Sequence, residues 1–117
     1  MEPVDEGSCI LGCISTGEQT MLAVNVRFHV KPGEEEAVEE RMKVFASECI
    51  DKEPGTHLYT VIKDDNGLGT MEIYEDMDAF RAHGVTPHHD ENVRLLSDKM
   101  SARPDINVFE VVHHPTR

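Results

Sequence analysis

Thr70-Met-Glu-Ile-Tyr-Glu-Asp-Met-Asp-Ala-Phe-Arg-Ala-His-Gly-Val-Thr-Pro-His-His89 is the stretch on which the fold turns. Met71 and Ile73 alternate with Thr70, Glu72 and Tyr74, the period of a strand over residues 70–75. Asp76 or Asp78 then caps a helix that Gly84 stops. Thr86 caps a second helix, with Pro87 at its first position. Such a strand-to-helix corner delivers Glu72, Tyr74, His83 and His88 or His89 to neighbouring places. Nowhere else does the chain gather polar, titratable and aromatic groups as densely.

Working outward, Met21 to Val30 alternates as a strand. Leu22, Val24, Val26, Phe28 and Val30 face one way, and Asn25, Arg27 and His29 the other. Lys31-Pro32-Gly33 turns into Glu34-Glu35-Glu36, acids that complement a helix N-terminus. Val38, Met42, Phe45 and Cys49 then recur at helical spacing to about Asp51, and Pro54-Gly55 ends the element. Thr56 to Lys63 is a second strand, with Leu58, Thr60 and Ile62 on one face and His57, Tyr59 and Val61 on the other. Asp64-Asp65-Asn66-Gly67 marks a tight hairpin turn. The helix opened by Pro87 is expected to run to about Met100, burying Val93, Leu96 and Met100, until Ala102-Arg103-Pro104 breaks it. A last strand of about eight residues carries Ile106 and Val108 on one face and Phe109 and Val111 on the other.

The order β-α-β-β-α-β, its second helix interrupted at Gly84, predicts an α+β chain with the ferredoxin-like, split βαβ arrangement. Four antiparallel strands then carry helices on one face. The sheet's second face, with several apolar and aromatic groups, is expected to close on a second copy as a homodimer. Residues 1–20 read as an N-terminal arm, mobile or docked on a partner subunit, and residues 21–117 as the one domain.

Composition narrows the partners. The 117 residues hold 23 acids against 11 Lys and Arg, a net charge of −12. That charge argues against nucleic acid and against anionic membrane surfaces. No run approaches the roughly 18 apolar residues of a membrane span, and the first residues lack a secretory pattern, so a cytoplasmic protein is expected. Cys9, Cys13 and Cys49 form no paired framework and read as reduced thiols, Cys49 packed within its helix. His83, His88, His89 and Asp90 invite a metal reading. Residues 88–90 fan out by about 100° each on a helix, however, so no metal site is expected.

Glu53-Pro54-Gly55, Glu72-Ile73-Tyr74-Glu75-Asp76, Ala79-Phe80, Ala82-His83 and Thr86-Pro87-His88 resemble the antibiotic biosynthesis monooxygenase family, over roughly Met21 to Val112. The resemblance implies a dimeric α/β barrel and oxidation of a phenolic, quinol or anthrone-like aromatic by O₂, without metal, flavin or other cofactor. A deprotonated substrate of this kind passes an electron to O₂ itself. The protein then supplies an apolar pocket, a base and a partner for the anion. By this resemblance His83 is the base or anion partner, histidine titrating near neutrality, and Tyr74 orients the substrate.

Asn25, Arg27, His57, Tyr59, Thr70, Glu72, Phe80 and His88 are the substrate-binding candidates. Several have plainer readings. Asn25, Arg27 and His29 line either the pocket or the dimer interface, as do His57 and Tyr59, and Glu72 pairs with Arg27 or Arg81 if it is structural. Thr70 and Tyr74 stand where polyketide-oxidising members carry Asn and Trp. Asn25, Tyr74 and His83 stand where haem-degrading members carry Asn, Trp and His. The alternatives to a monooxygenase are a non-redox binder of small aromatics or a cyclase, and, third, a haem-binding member.

Overall fold

The computed structural model describes residues 20–117, and the expected arm, with Cys9 and Cys13, lies outside the described residues. The elements run β1 (Leu22–Val30), α1 (Glu35–Lys52), β2 (Thr56–Asp64), β3 (Gly67–Tyr74), α2 (Met77–His83), α3 (Pro87–Leu96), a 3-10 turn (Ser97–Lys99) and β4 (Met100–Glu110). The strands form one sheet in the order β2-β3-β1-β4, antiparallel throughout. This is the ferredoxin-like α+β fold that the element order predicts.

Local chemistry explains the boundaries. In α2 the Asp76 carboxylate accepts from the Ala79 amide at 2.8 Å, and in α3 the Thr86 hydroxyl accepts from the His89 amide at 3.1 Å. Each satisfies a helix N–H that has no partner within the helix. In the β2–β3 hairpin the turn closes at Gly67, whose φ of 119° is open to glycine and strained for other residues. Helix α1 buries the predicted stripe of Val38, Met42, Phe45 and Cys49 against the sheet, joined by Leu68 and Leu96. A second cluster joins Val24 and Val26 of β1 to Tyr74 of β3.

Three expectations need correction. β3 begins at Gly67, three residues before Thr70, because the hairpin pairs from its first residue, Asp64 with Gly67. Helix α3 stops at Leu96 and not Met100. It buries His88, Asn92 and Leu96, while Val93 is 54% exposed. Asn92 takes the inward position because its side-chain oxygen accepts from the Arg41 guanidinium at 2.9 Å. Finally, Ala102-Arg103-Pro104 does not precede the last strand but lies inside it. β4 is an edge strand, and its pairing with β1 shifts register between Arg27 and His29. A proline, which cannot donate to a ladder, is accommodated at such an edge bulge.

Helices cover one face of the sheet only. Cross-strand partners share a face, so the pairing of Leu22 with Tyr74, Val24 with Glu72 and Val26 with Thr70 sets those three β3 residues under the helices. Asn25 with Met71, and Ile73 with Leu58, occupy the uncovered face with Phe109 of β4.

A close approach joins the strands to α2. A Cβ built on Gly55 would stand 2.6 Å from Cβ of Ala79. The pair of small residues therefore lets α2 sit down on the turn that leads into β2. Gly55→Ala should lower stability by about 1–3 kcal/mol, the usual cost of overpacking. Adding Ala79→Gly should recover part of that loss in a urea titration; a double variant no better than the single one would contradict the contact.

Candidate active site

Two buried carboxylates organise the covered side of the sheet. Glu53 follows α1 four residues after Cys49, which continues the apolar stripe inward. Its carboxylate accepts from the Thr56 hydroxyl at 2.6 Å, from Nδ1 of His83 at 3.0 Å, and from Nε2 of His88. Helix α2 brings His83 in at its last residue and α3 brings His88 in at its first turn, so three helices meet on one acid. Burial alone would raise the Glu53 pKa, but the hydrogen bonds from Thr56 and His88 and the His83 ring hold it below the ordinary value. The group is an anion at neutral pH.

Burial pushes the pKa of His83 below its ordinary 6.5, against the opposing pull of Glu53. The ring is therefore neutral at pH 7. A neutral imidazole carries one N–H, and a carboxylate can only accept, so the proton sits on Nδ1. Nε2 is left with a lone pair, and His83 lines a large cavity. Such a nitrogen, backed by a buried anion, has the chemistry that a general base requires.

The second carboxylate, Glu72, accepts from the Thr70 hydroxyl at 2.5 Å and from the Tyr74 hydroxyl at 2.6 Å, one on each oxygen. Burial first, and then the Glu72 charge, push both the Tyr74 and Tyr59 phenols well above their ordinary range. Both stay protonated, and Tyr74 donates to Glu72. Tyr59 packs edge-on against Phe45, with ring centroids 5.5 Å apart, and lies 5.6 Å from His83.

The cavity, of about 920 Å³, opens between the sheet and helices α2 and α3. Val24, Val26 and Phe28 of β1 form part of its wall, and Phe45, Tyr59, Phe80 and His89 add aromatic surface. A space of that size, mostly apolar with a few convergent polar groups, suits a polycyclic aromatic.

The ten predicted site residues separate into three sets. His83, Tyr59, Glu72 and Phe80 line the cavity together. Tyr74, Thr70 and His88 lie one contact behind it: Tyr74 and Thr70 are 0% exposed and hold Glu72, and His88 holds Glu53. Tyr74 is thus placed to fix Glu72 rather than to touch a ligand. Asn25, Arg27 and His57 lie away from the cavity. Asn25 donates to the Thr70 carbonyl, Arg27 pairs with Asp64 at 2.6 Å and His57 pairs with Glu75 at 3.2 Å at the surface. Alternation put Asn25 and Arg27 opposite the apolar set of β1 from the start, whereas His57, expected on the face of Tyr59, stands at the register shift between Thr56 and Leu58. Glu72 pairs with neither Arg27 nor Arg81.

Two residues join the site without having been assigned a role in it. Glu53 could have been found as the only acid on the stripe of Val38, Met42, Phe45 and Cys49. His89 lies edge-on to His83 at 5.1 Å and lines the cavity, and its buried Nδ1 has no hydrogen-bond partner among the described residues. Burial lowers its pKa, so it too is neutral. For a metal, Cys49, Glu53 and His88 place ligand atoms within 4.8 Å of one another. Burial and the Glu53 charge raise the Cys49 thiol far above its ordinary range, and two imidazoles already satisfy Glu53.

Comparisons with known proteins agree with this architecture. The family model for antibiotic biosynthesis monooxygenases matches residues 21–95. Among solved structures, a candidate antibiotic biosynthesis monooxygenase of Caulobacter crescentus superposes with a TM-score of 0.76 at 24% identity, over 81% of this chain and 92% of that one. A candidate of the same kind from Nitrosomonas europaea gives 0.75 at 20%, over 85% and 97%. Rv0793 from Mycobacterium tuberculosis gives 0.74 at 18%, over 83% and 100%. Among curated proteins none is significantly similar in sequence. At these identities the neighbours speak for the fold.

Proposed function

The chain belongs to the antibiotic biosynthesis monooxygenase family, and we propose that it oxidises a phenolic, quinol or anthrone-like aromatic with O₂, without a cofactor. The observation that carries this reading is the buried Glu53–His83 pair, with the free Nε2 of His83 at the wall of a largely apolar cavity. Nε2 takes the proton of the substrate hydroxyl, and the imidazolium so formed is stabilised by Glu53 across 3.0 Å. The resulting anion gives one electron to O₂, and the radical pair combines into a carbon-bound hydroperoxide. For an anthrone carbon bearing two hydrogens, loss of water then leaves a carbonyl. One oxygen atom enters the product and the other leaves as water, and His83 returns its proton to the peroxide.

Glu72, with Tyr74 and Thr70 behind it, and Tyr59 beside it shape the polar end of the pocket. Phe80 and Phe45 cover the ring system. The haem-binding alternative loses support because Asn25 stands on the sheet face opposite His83. No helix among the described residues is long and apolar enough to cross a membrane.

We also propose a homodimer closed on the uncovered face, where Met71 is 47% and Phe109 55% exposed. Sedimentation should give twice the 13.2 kDa chain mass, and Met71→Glu should shift it toward the single chain; a wild-type monomer would remove this proposal.

Oxygen uptake across a panel of hydroquinones and anthrones tests the chemistry. His83→Ala should lower kcat/KM by about 100-fold or more, the range for loss of a general base. In the wild type the rate should fall on acidification below pH 6.5, because His83 titrates beneath its ordinary value, and that limb should vanish in the variant. Uptake that is unchanged in His83→Ala would overturn the assignment.

A further inference from the structure

The cavity is opposite in charge to the chain around it. The whole molecule carries −12, yet the lining holds two arginines, Arg81 and Arg103, and a single acid, Glu72. Both oxygens of that acid are occupied by Thr70 and Tyr74, and it is 3% exposed. Glu72 therefore does not serve as a partner for either guanidinium.

Arg103 owes its position to the bulge in β4. Arg27 pairs with Asp105 and His29 with Ala102, so Phe28, a cavity residue, faces both Arg103 and Pro104. Met100 and Ile106, at either end of this segment, also line the cavity. Among the described residues Arg103 has no carboxylate within ion-pair distance, whereas Arg27 and Arg41 are paired. Among the described residues Arg81 reaches Asp78 alone, at 3.8 Å with both side chains mostly exposed, a contact loose enough to give way to another anion.

A field from a strongly acidic chain repels anions from its surface unless it is reversed locally. Two exposed guanidinium groups in the cavity lining supply such a reversal. We propose that the aromatic bound here carries a carboxylate, held by Arg81 and Arg103 where the cavity lining is exposed to solvent. Guanidinium suits the task because its planar fork matches a carboxylate with paired N–H donors. The assignment rests on reading the cavity as the oxidation site and narrows its substrate class to aromatic acids.

Binding measured without O₂ separates this inference from the chemistry. The probes are 2-naphthol and 6-hydroxy-2-naphthoate, which differ by a carboxylate at the end opposite the hydroxyl, followed by their fluorescence. The naphthoate should bind about fivefold tighter, the upper range for exposed ion pairs, and the advantage should shrink in added salt. In the Arg81→Ala/Arg103→Ala double variant the ratio of the two affinities should fall to about one, while Arg103→Lys alone keeps part of it. Both positions are exposed, so the variants should fold. A wild type that binds the two naphthols alike, or neither of them, would overturn the inference, as would a preference that survives in the double variant. A clear preference without O₂ uptake from any hydroquinone would keep the inference and remove the oxidation reading.

Discussion

Everything on the covered side of the sheet depends on one buried carboxylate. Glu53 ends α1, receives His83 from the end of α2 and His88 from the start of α3, and is tied to β2 through Thr56. A charge in that position is costly unless each lone pair is used. Here the donors hold it ionised, and in return it sets the positions of three helices. Removing the acid would leave two buried imidazoles without a shared partner, so the packing of the helices and the orientation of His83 stand or fall together. Gly55 and Ala79 serve the same junction sterically, by letting α2 approach closely enough for His83 to reach.

The inner face of β3 shows a second consequence. A strand packed under helices ordinarily turns its apolar residues inward. In β3 it is Thr70, Glu72 and Tyr74 that face the helices, while Met71 is turned out. The inversion is sustained by a closed set of bonds, with both Glu72 oxygens accepting hydroxyl protons. Of the three inward residues, Glu72 reaches the cavity, whose wall also carries the apolar side chains of β1. Local conflict between patterning and burial of this sort is what functional sites characteristically impose.

Much of the fold was legible because its signals are periodic. The stripe Val38-Met42-Phe45-Cys49, the alternation through β1, the caps at Asp76 and Thr86 and the turn at Gly67 each follow from residue spacing. Less legible was whatever depends on a partner distant in sequence. Asn92 displaced Val93 from the buried face of α3 because Arg41 awaits it on α1. Pro104 reads as a breaker until β4 is known to be an edge strand. At the site, the residue types were visible at once, but their grouping was not. Tyr74 and His88 hold carboxylates, Asn25, Arg27 and His57 fall to the far side of the sheet or its rim, and Glu53, although it lies on the α1 stripe, and His89 join the group only when the helices pack. Alternation shows which residues share a face; it does not show which face will roof a cavity.

The central claim is that Glu53 fixes His83 as a neutral ring with its proton on Nδ1 and a bare Nε2 toward the cavity. The most direct test is the pair of ring ¹⁵N shifts of His83 at neutral pH, assigned by comparison with His83→Ala. The account predicts a protonated Nδ1 and an unprotonated Nε2. A proton on Nε2, or on both nitrogens, would contradict it, since either state leaves the cavity without its base.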